Sequence, residues 1–362
     1  MKSTILGIGL ANPGKAISQQ AIGKFMEVAH GLDGVDARKL GFLYRKSGIN
    51  ARYSVLNDFE KSDPVDFQFF PKNKTLDPFP GTKARMEVFA QHAPGLAEQA
   101  TLDALKKAEI KKEGITHLVM VSCTGMLAPG VELSLMQSLG LDHSVERYCI
   151  HFMGCYAAFT GLKLADKIVR AEPSAKVLVV CVELCTLHFQ KDYSEDNLLS
   201  NSLFGDGAAA AVVANSENGS GLEIDQYMSH VLLEGENDMA WGIGDFGFEM
   251  RLSKYIPALL DKGIGNLLSS FERLFSLSTI QNFAIHPGGK QIVEKVQSAF
   301  GFDEDKNEHA LEVLRNFGNM SSATILYVLE RMLRDPKIDG KILAMGFGPG
   351  LTLEAMTLTK TP

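Results

Sequence analysis

Apolar residues recur along this chain in two rhythms, short uninterrupted runs and longer stretches at helical spacing, and the two alternate almost to its end. The first run, Ile5-Leu6-Gly7-Ile8-Gly9-Leu10-Ala11, is stopped by Pro13-Gly14 and reads as a strand. Residues 18–46 carry helical spacing and close on a basic group, Arg38, Lys39, Arg45 and Lys46, with Arg52 beyond; such a group is either a solvated face or a mouth that holds phosphates. Residues 59–80 mix Asp, Pro, Lys and Phe without a period and predict a long surface loop. A helix follows over 84–107, a buried strand over 115–122 and a short helix over 133–139. Beyond a mixed apolar segment, a helix opens at Cys155, and then come a buried strand over 176–183 and a glycine turn feeding a small-residue strand over 203–213.

Near 215–221 the composition turns to Asn, Ser, Glu and Gly, which sets a domain boundary between 1–218 and 219–362. The second half repeats the scheme. Strands are predicted over 221–230 and 282–285, helices over 257–275, 290–300 and 319–334, and a last strand over 341–346 entering Phe347-Gly348-Pro349-Gly350. The fold class is α/β, two similar units packed together with the chemistry at their junction.

Composition narrows the function classes. A net charge of −7 with no long basic tract argues against nucleic acid, and no apolar stretch is long enough to span a membrane. Five cysteines, without a CxxC pair or a zinc-like Cys/His spacing, predict a reduced cytoplasmic protein with no metal site.

Three residues stand where chemistry would need them. Cys155 follows Gly154 and begins a helix, whose partial positive charge and unpaired N–H groups favour a thiolate. His286 ends an apolar strand and is turned out by Pro287-Gly288-Gly289. Asn319 precedes a small-residue helix. Singly these could be a buried thiol, a satisfied histidine and a helix cap; together they offer a nucleophile and two donors for one developing oxyanion.

The blocks Gly154-Cys155, Leu203-Phe204-Gly205-Asp206-Gly207-Ala208, Ile285-His286-Pro287-Gly288-Gly289, Gly318-Asn319-Met320-Ser321-Ser322-Ala323 and Gly346-Phe347-Gly348-Pro349-Gly350-Leu351 occur in this order in type III polyketide synthases, and the chain resembles that chalcone and stilbene synthase family over its whole length. The resemblance implies a thiolase-like fold of two αβαβα units in five layers and a homodimer. It also implies decarboxylative condensation of malonyl-CoA onto an acyl-CoA starter, with no carrier protein and no metal or redox cofactor. It makes Cys155 the acyl-loading residue, held as a thiolate by His286, and makes His286 and Asn319 the pair that drives decarboxylation. Phe204 resembles a gate; Gly348, Pro349 and Ser321 would line the cavity, the glycines leaving room for a growing chain. Lys39 and Lys46 match family positions that hold CoA phosphates, although Phe42 replaces a basic residue between them.

Other departures bear on substrate choice. Met250 replaces a second gate Phe, Cys123 and His188 replace threonines of the cavity wall, and Ala128 replaces a larger residue that reaches across the dimer in plant members. These imply a bacterial-type enzyme taking aliphatic, even long, starters and releasing pyrones or resorcinols. A ketoacyl synthase, a hydroxymethylglutaryl-CoA synthase or a catalytically silent scaffold relative is the alternative.

Overall fold

The computed structural model describes residues 2–215, 220–253 and 255–361. The boundary expected between 218 and 219 lies outside the described residues. The first half runs β1 (Ser3–Ala11), β2 (Ile17–Ser18), α1 (Gln19–Ala29), α2 (Gly34–Lys46), β3 (Ala51–Arg52), α3 (Thr82–Lys107), β4 (His117–Ser122), α4 (Val131–Leu139), β5 (Glu146–His151), α5 (Ala157–Ala171), β6 (Lys176–Leu184), α6 (Glu195–Leu203) and β7 (Asp206–Asn215). The second runs β8 (Gly221–Val231), β9 (Met239–Gly244), β10 (Gly247–Leu252), α7 (Ile256–Phe275), β11 (Ile280–Ile285), α8 (Lys290–Phe300), α9 (Glu308–Phe317), α10 (Thr324–Arg334), β12 (Gly340–Gly348) and β13 (Thr352–Thr361).

One nine-stranded sheet runs β11-β12-β13-β8-β1-β7-β6-β4-β5. It is two copies of one pattern. In each, the first strand pairs antiparallel with the last, the last antiparallel with its predecessor, and the predecessor parallel with an earlier strand. The copies meet where β1 and β8 pair at Thr4↔Glu223 and Ile5↔Leu222. Strand alternation then sorts the core: Val119 and Val121 face a cluster shared with the second half, while Leu118 and Met120 face the cluster under α1 and α3. Helices α5 and α10 touch strands of both halves, so they form the middle layer, and their N-terminal ends meet at the junction.

Several expectations need correction. The helical spacing over 18–46 resolves into two helices, broken between His30 and Asp33; Gly31 (φ +61°) in the break and Gly34 (φ +50°) at the start of α2 take left-handed backbone. The stretch 59–80 is irregular but not superficial, because Phe59, Phe67 and Phe70 are buried around Phe25. The strand over 341–346 is not the last. β13 follows it with the buried Glu354 near its start, neutralised by Lys163 at 2.6 Å, and that carboxylate interrupts the apolar run a buried strand would show. The edge strand β5, the polar helix α6, the hairpin β9–β10 and α9 had no sequence assignment. Among the described residues no helix is long and apolar enough to cross a membrane.

Candidate active site

Cys155 sits in a single 3-10 turn, Gly154–Tyr156, that leads into α5. The chain reaches it through Phe152 (φ +58°) and Gly154 (φ +78°), and a Cβ on Gly154 would stand 2.3 Å from Pro349 Cδ. Both the conformation and the contact therefore require glycine. The second half builds the same device: Gly318 (φ +69°) and Asn319 lead into a 3-10 turn, Ser321–Ala323, that opens α10. His286 follows β11 and extends its ladder, donating its N–H to Met345 O at 2.8 Å before the turn at Pro287.

These pieces converge. Asn319 Nδ2 lies 3.8 Å from Cys155 Sγ and 3.3 Å from Gly288 O, directly after His286 and Pro287. Asn319 Oδ1 accepts from Ser321 N–H at 2.9 Å, which fixes the amide with its Nδ2 and Oδ1 at 3.8 and 3.9 Å from the sulfur. Its backbone is tied to the Phe204 segment on both sides, Asn319 N to Leu203 O and Gly205 N to Asn319 O, each at 2.9 Å. His286 is 1% exposed, and neither ring nitrogen has a hydrogen-bond partner among the described residues. A buried imidazole with both nitrogens unengaged is free to exchange a proton with whatever enters.

Burial sets the resting charges, and it opposes the thiolate expected from the helix terminus. It pushes the Cys155 thiol up to about 11, with Ser321 and Asn319 pulling it down less strongly and the Glu183 charge adding to the rise. It pushes His286 down to about 3. Both effects favour the neutral forms of the two groups.

Cys155, His286 and Asn319 line one cavity of about 410 Å³. Phe204, Met250, Cys123, His188, Ser321 and Pro349 line it too, and Lys46 stands on its wall. Two of the expected residues do not belong. Gly348 gives its space to protein, since a Cβ there would meet Tyr156 Cδ1 at 2.6 Å; Gly346 likewise makes room for Phe159 at 2.5 Å. The missing side chains thus permit close packing under the Cys155 turn and leave no room for a chain. Lys39 is an exposed residue paired with Asp36 at 3.0 Å on α2, and it does not reach the cavity.

The sequence reading missed other residues. Lys290 and Gln291, at the start of α8, line the cavity beside Lys46, and the Lys290 stem lies over Gly48. The run Gly288-Gly289-Lys290 was visible, a glycine turn feeding a helix with a cation on its first residue. Glu183 is wholly buried behind Cys155. Its Oε2 accepts from Cys123 N–H (3.0 Å) and Thr124 Oγ (2.8 Å), and its Oε1 accepts from Ser322 Oγ. Burial pushes this carboxyl up to about 7.

A family model described as chalcone and stilbene synthases, N-terminal domain, matches residues 1–217, and the corresponding C-terminal domain matches 223–362. A Mycobacterium tuberculosis protein named alpha-pyrone synthesis polyketide synthase-like Pks18 is 31% identical over 98% of this chain and 90% of its own length. Probable polyketide synthase 1 of Dictyostelium discoideum is 29% identical over 98% of this chain, which spans only 11% of that longer protein. Among solved structures, PKS-I of the brown alga Ectocarpus siliculosus matches at a TM-score of 0.92, with 28% identity, over 99% of this chain and 98% of that one. The C-terminal type III polyketide synthase domain of Steely1, from Dictyostelium, matches at 0.89 with 28% identity over 100% of both chains.

Proposed function

This chain belongs to the chalcone and stilbene synthase family, a type III polyketide synthase with a thiolase-like fold and acyltransferase activity, and from that premise we propose that it extends an aliphatic acyl-CoA starter with malonyl-CoA on Cys155. The observation that carries the roles is the fixed Asn319 amide 3.8 Å from the Cys155 sulfur, on a cavity that also holds the unengaged His286 imidazole.

In loading, neutral His286 takes the Cys155 proton as the sulfur attacks the starter thioester. The tetrahedral oxyanion collapses, and CoA leaves with the proton returned by His286. In extension, the malonyl C–C bond breaks, carbon dioxide leaves, and the electron pair moves into the thioester carbonyl. Asn319 Nδ2–H and an imidazole N–H of His286 hold the resulting enolate oxygen in a buried site where water cannot compete. The enolate carbon attacks the acyl–Cys155 carbonyl, and Cys155 departs as a thiolate ready to take the lengthened chain back from CoA. Every step is a proton or acyl transfer or the loss of carbon dioxide, so the scheme calls for no cofactor beyond the CoA thioesters themselves.

The mouth and walls support the substrate class. Lys46 and Lys290 with the first amides of α8 can meet the CoA phosphates as point charges, a role that passes from Lys39 to Lys290. Cys123, Cys185, Met239, Met250 and Phe248 make much of the wall apolar and soft, which suits an alkyl chain. Pyrone or resorcinol release fits that reading, and an alpha-pyrone activity appears in the name of the mycobacterial relative. A homodimer fits the exposed edge strand β5, where Tyr148 and Cys149 face outward. Five free cysteines suit a reducing cytoplasmic compartment.

The test combines malonyl-CoA with aromatic, medium-chain and long-chain acyl-CoA starters, without carrier protein, and follows the products by mass spectrometry. Expected are an acyl adduct on Cys155, CoA release and alkyl products. Aromatic starters outcompeting aliphatic ones would overturn the substrate class, and a strict need for a carrier protein would overturn the reaction.

A further inference from the structure

Helix α6 ends inside the fold, one residue before Phe204, and beyond Ser200 O, which takes Phe204 N–H at 3.2 Å, its last carbonyls need donors from elsewhere. Each is met by a different part of the chain. Asn201 O accepts from the Tyr44 hydroxyl and from Arg52 Nη1, both at 3.0 Å, and Ser202 O accepts from Gln19 Nε2 at 2.8 Å. Leu203 O accepts from Asn319 N–H at 2.9 Å, and Phe204 O, the next in line, accepts from Arg52 Nη1 again. Arg52 thus holds a carbonyl on either side of the one that carries Asn319.

Arg52 is itself firmly seated. It is the second residue of β3, paired with Ile17 of β2, and its Nε–H donates at 2.9 Å to Gln19 Oε1 at the start of α1. At 2% exposure it is a buried charge, and Asp206, which supports that charge, takes its own hydrogen bonds from Val55 and Thr186. The guanidinium instead meets the negative end of α6, where a cation is favoured. The stem of the side chain makes a second contact. Gly318, the residue before Asn319, has φ +69°, and a Cβ there would stand 2.8 Å from Arg52 Cγ and Cδ. Arg52 therefore touches the Asn319 turn directly and also holds the helix end to which that turn is bonded.

We propose that Arg52 is a positioning residue for Asn319: by fixing the end of α6 and the floor under Gly318, it holds the amide where the enolate oxygen forms. The proposal rests on the condensing-enzyme reading of the same cavity. Cys155 does not depend on this path, because its turn is set by Phe152 and Gly154 against Pro349. Loss of Arg52 should therefore weaken decarboxylation and extension and leave the loading of Cys155 nearly intact.

Arg52→Met keeps an apolar stem and removes every donor; Arg52→Lys keeps the charge and replaces the fork by a single point. The readouts are malonyl-CoA decarboxylation and extension, loading of Cys155 by labelled acyl-CoA, and amide exchange over residues 317–320. For Arg52→Met, kcat for extension is expected to fall about 10²-fold, the loss that a misplacement near 1 Å produces, with loading within about threefold of wild type and KM for malonyl-CoA little changed. Exchange over 317–320 should rise about tenfold, with Arg52→Lys lying between on every readout. In an Asn319→Ala background the same substitution should lower extension by less than about threefold more, because a residue acting through Asn319 has nothing left to place, whereas a merely structural residue would cost as much in either background. Gln19→Leu removes the partner of Arg52 Nε and the donor to Ser202 O; it should move the readouts the same way more weakly and serves if Arg52→Met does not fold. Equal losses of loading and extension, losses that multiply in the double variant, or unchanged exchange overturn the proposal. Wild-type enzyme that consumes no malonyl-CoA overturns the condensing reading instead, and exchange over 317–320 then decides whether Arg52 holds the Asn319 turn.

Discussion

Glu183 and Ser322 join the two halves of the chain beneath Cys155. The Ser322 hydroxyl, at the turn opening α10, donates to Glu183 Oε1 near the end of β6, while Glu183 Oε2 is held by Cys123 N–H and Thr124. The carboxylate thus fixes the relative position of the segments that carry Cys155 and Asn319. It also places latent negative charge close enough to raise the thiol.

That arrangement predicts a pH dependence of stability. Burial raises Glu183 from its ordinary value of 4.5 to about 7, so between those values the folded chain holds a proton that the unfolded chain has lost. Stability is therefore highest at the acid end of this window and declines as pH rises through it, by about 3 kcal/mol for Glu183 alone. Asp206, raised by burial to about 6, adds a slope of the same sign. Glu183→Gln can keep an acceptor toward Cys123 and Thr124 and should flatten much of the decline, leaving the part due to Asp206. Urea denaturation at pH 5 and pH 8 measures this, and identical pH slopes in wild type and variant would refute it. The same substitution removes a charge that raises Cys155, so its alkylation by iodoacetamide should begin at lower pH than in wild type.

Asn319 and His286 are expected to separate in kinetics. Asn319→Ala removes one oxyanion donor and should lower condensation by about 10²–10³-fold in kcat, with a smaller effect on loading of Cys155. His286→Gln keeps a donor but loses the base, so loading itself should slow by about 10²–10⁴-fold. Stopped reactions with labelled starter distinguish the two. Equal losses of loading in both variants would mean that the amide and the imidazole do not divide the work as proposed.

That Cys155, His286 and Asn319 would meet was legible because each is bound to a local device that sequence displays: a glycine that must turn, a strand that must end, a helix that must begin. Lys39 shows where sequence reasoning ran out. It lies seven residues from Lys46, nearly in helical phase with it, but that is about 10 Å along α2, beyond the cavity's reach. Lys290 sits far off in sequence and is brought beside Lys46 only by the packing of α8 on the Gly48 turn. Gly348 shows a different limit, because a missing side chain signals open space and close contact equally well. The hairpin β9–β10 was hidden because its short, glycine-bounded strands share one apolar face with the cavity instead of facing a continuous core.

Lys290→Ala tests the mouth. The side chain is half exposed and also pairs with Glu294 at 3.4 Å, so the pair itself contributes little to stability. KM for malonyl-CoA and acyl-CoA should rise by about threefold to tenfold with kcat nearly unchanged, because the charge meets the CoA end and not the reacting carbon. The difference should shrink as ionic strength increases. Equal KM values at low salt would remove Lys290 from the CoA site.

Gly154 carries the most local prediction. At φ +78° a side chain is strained by about 1–2 kcal/mol before any contact is counted. The new methyl carbon would also stand 2.3 Å from Pro349 Cδ, so the Cys155 turn and the loop after β12 cannot both keep their places. Pro349 lines the cavity, and the Gly154 N–H also donates to Cys123 Sγ at 2.9 Å, so a shift of this turn moves two walls together with the nucleophile. Gly154→Ala should therefore lower the melting temperature and, separately, cut turnover by about 10²-fold in the protein that remains folded, since a displacement near 1 Å at the reacting sulfur is enough for that loss. Thermal unfolding and turnover normalised to folded protein measure the two effects. An alanine variant with wild-type stability and wild-type turnover would show that the left-handed turn is not what aims Cys155.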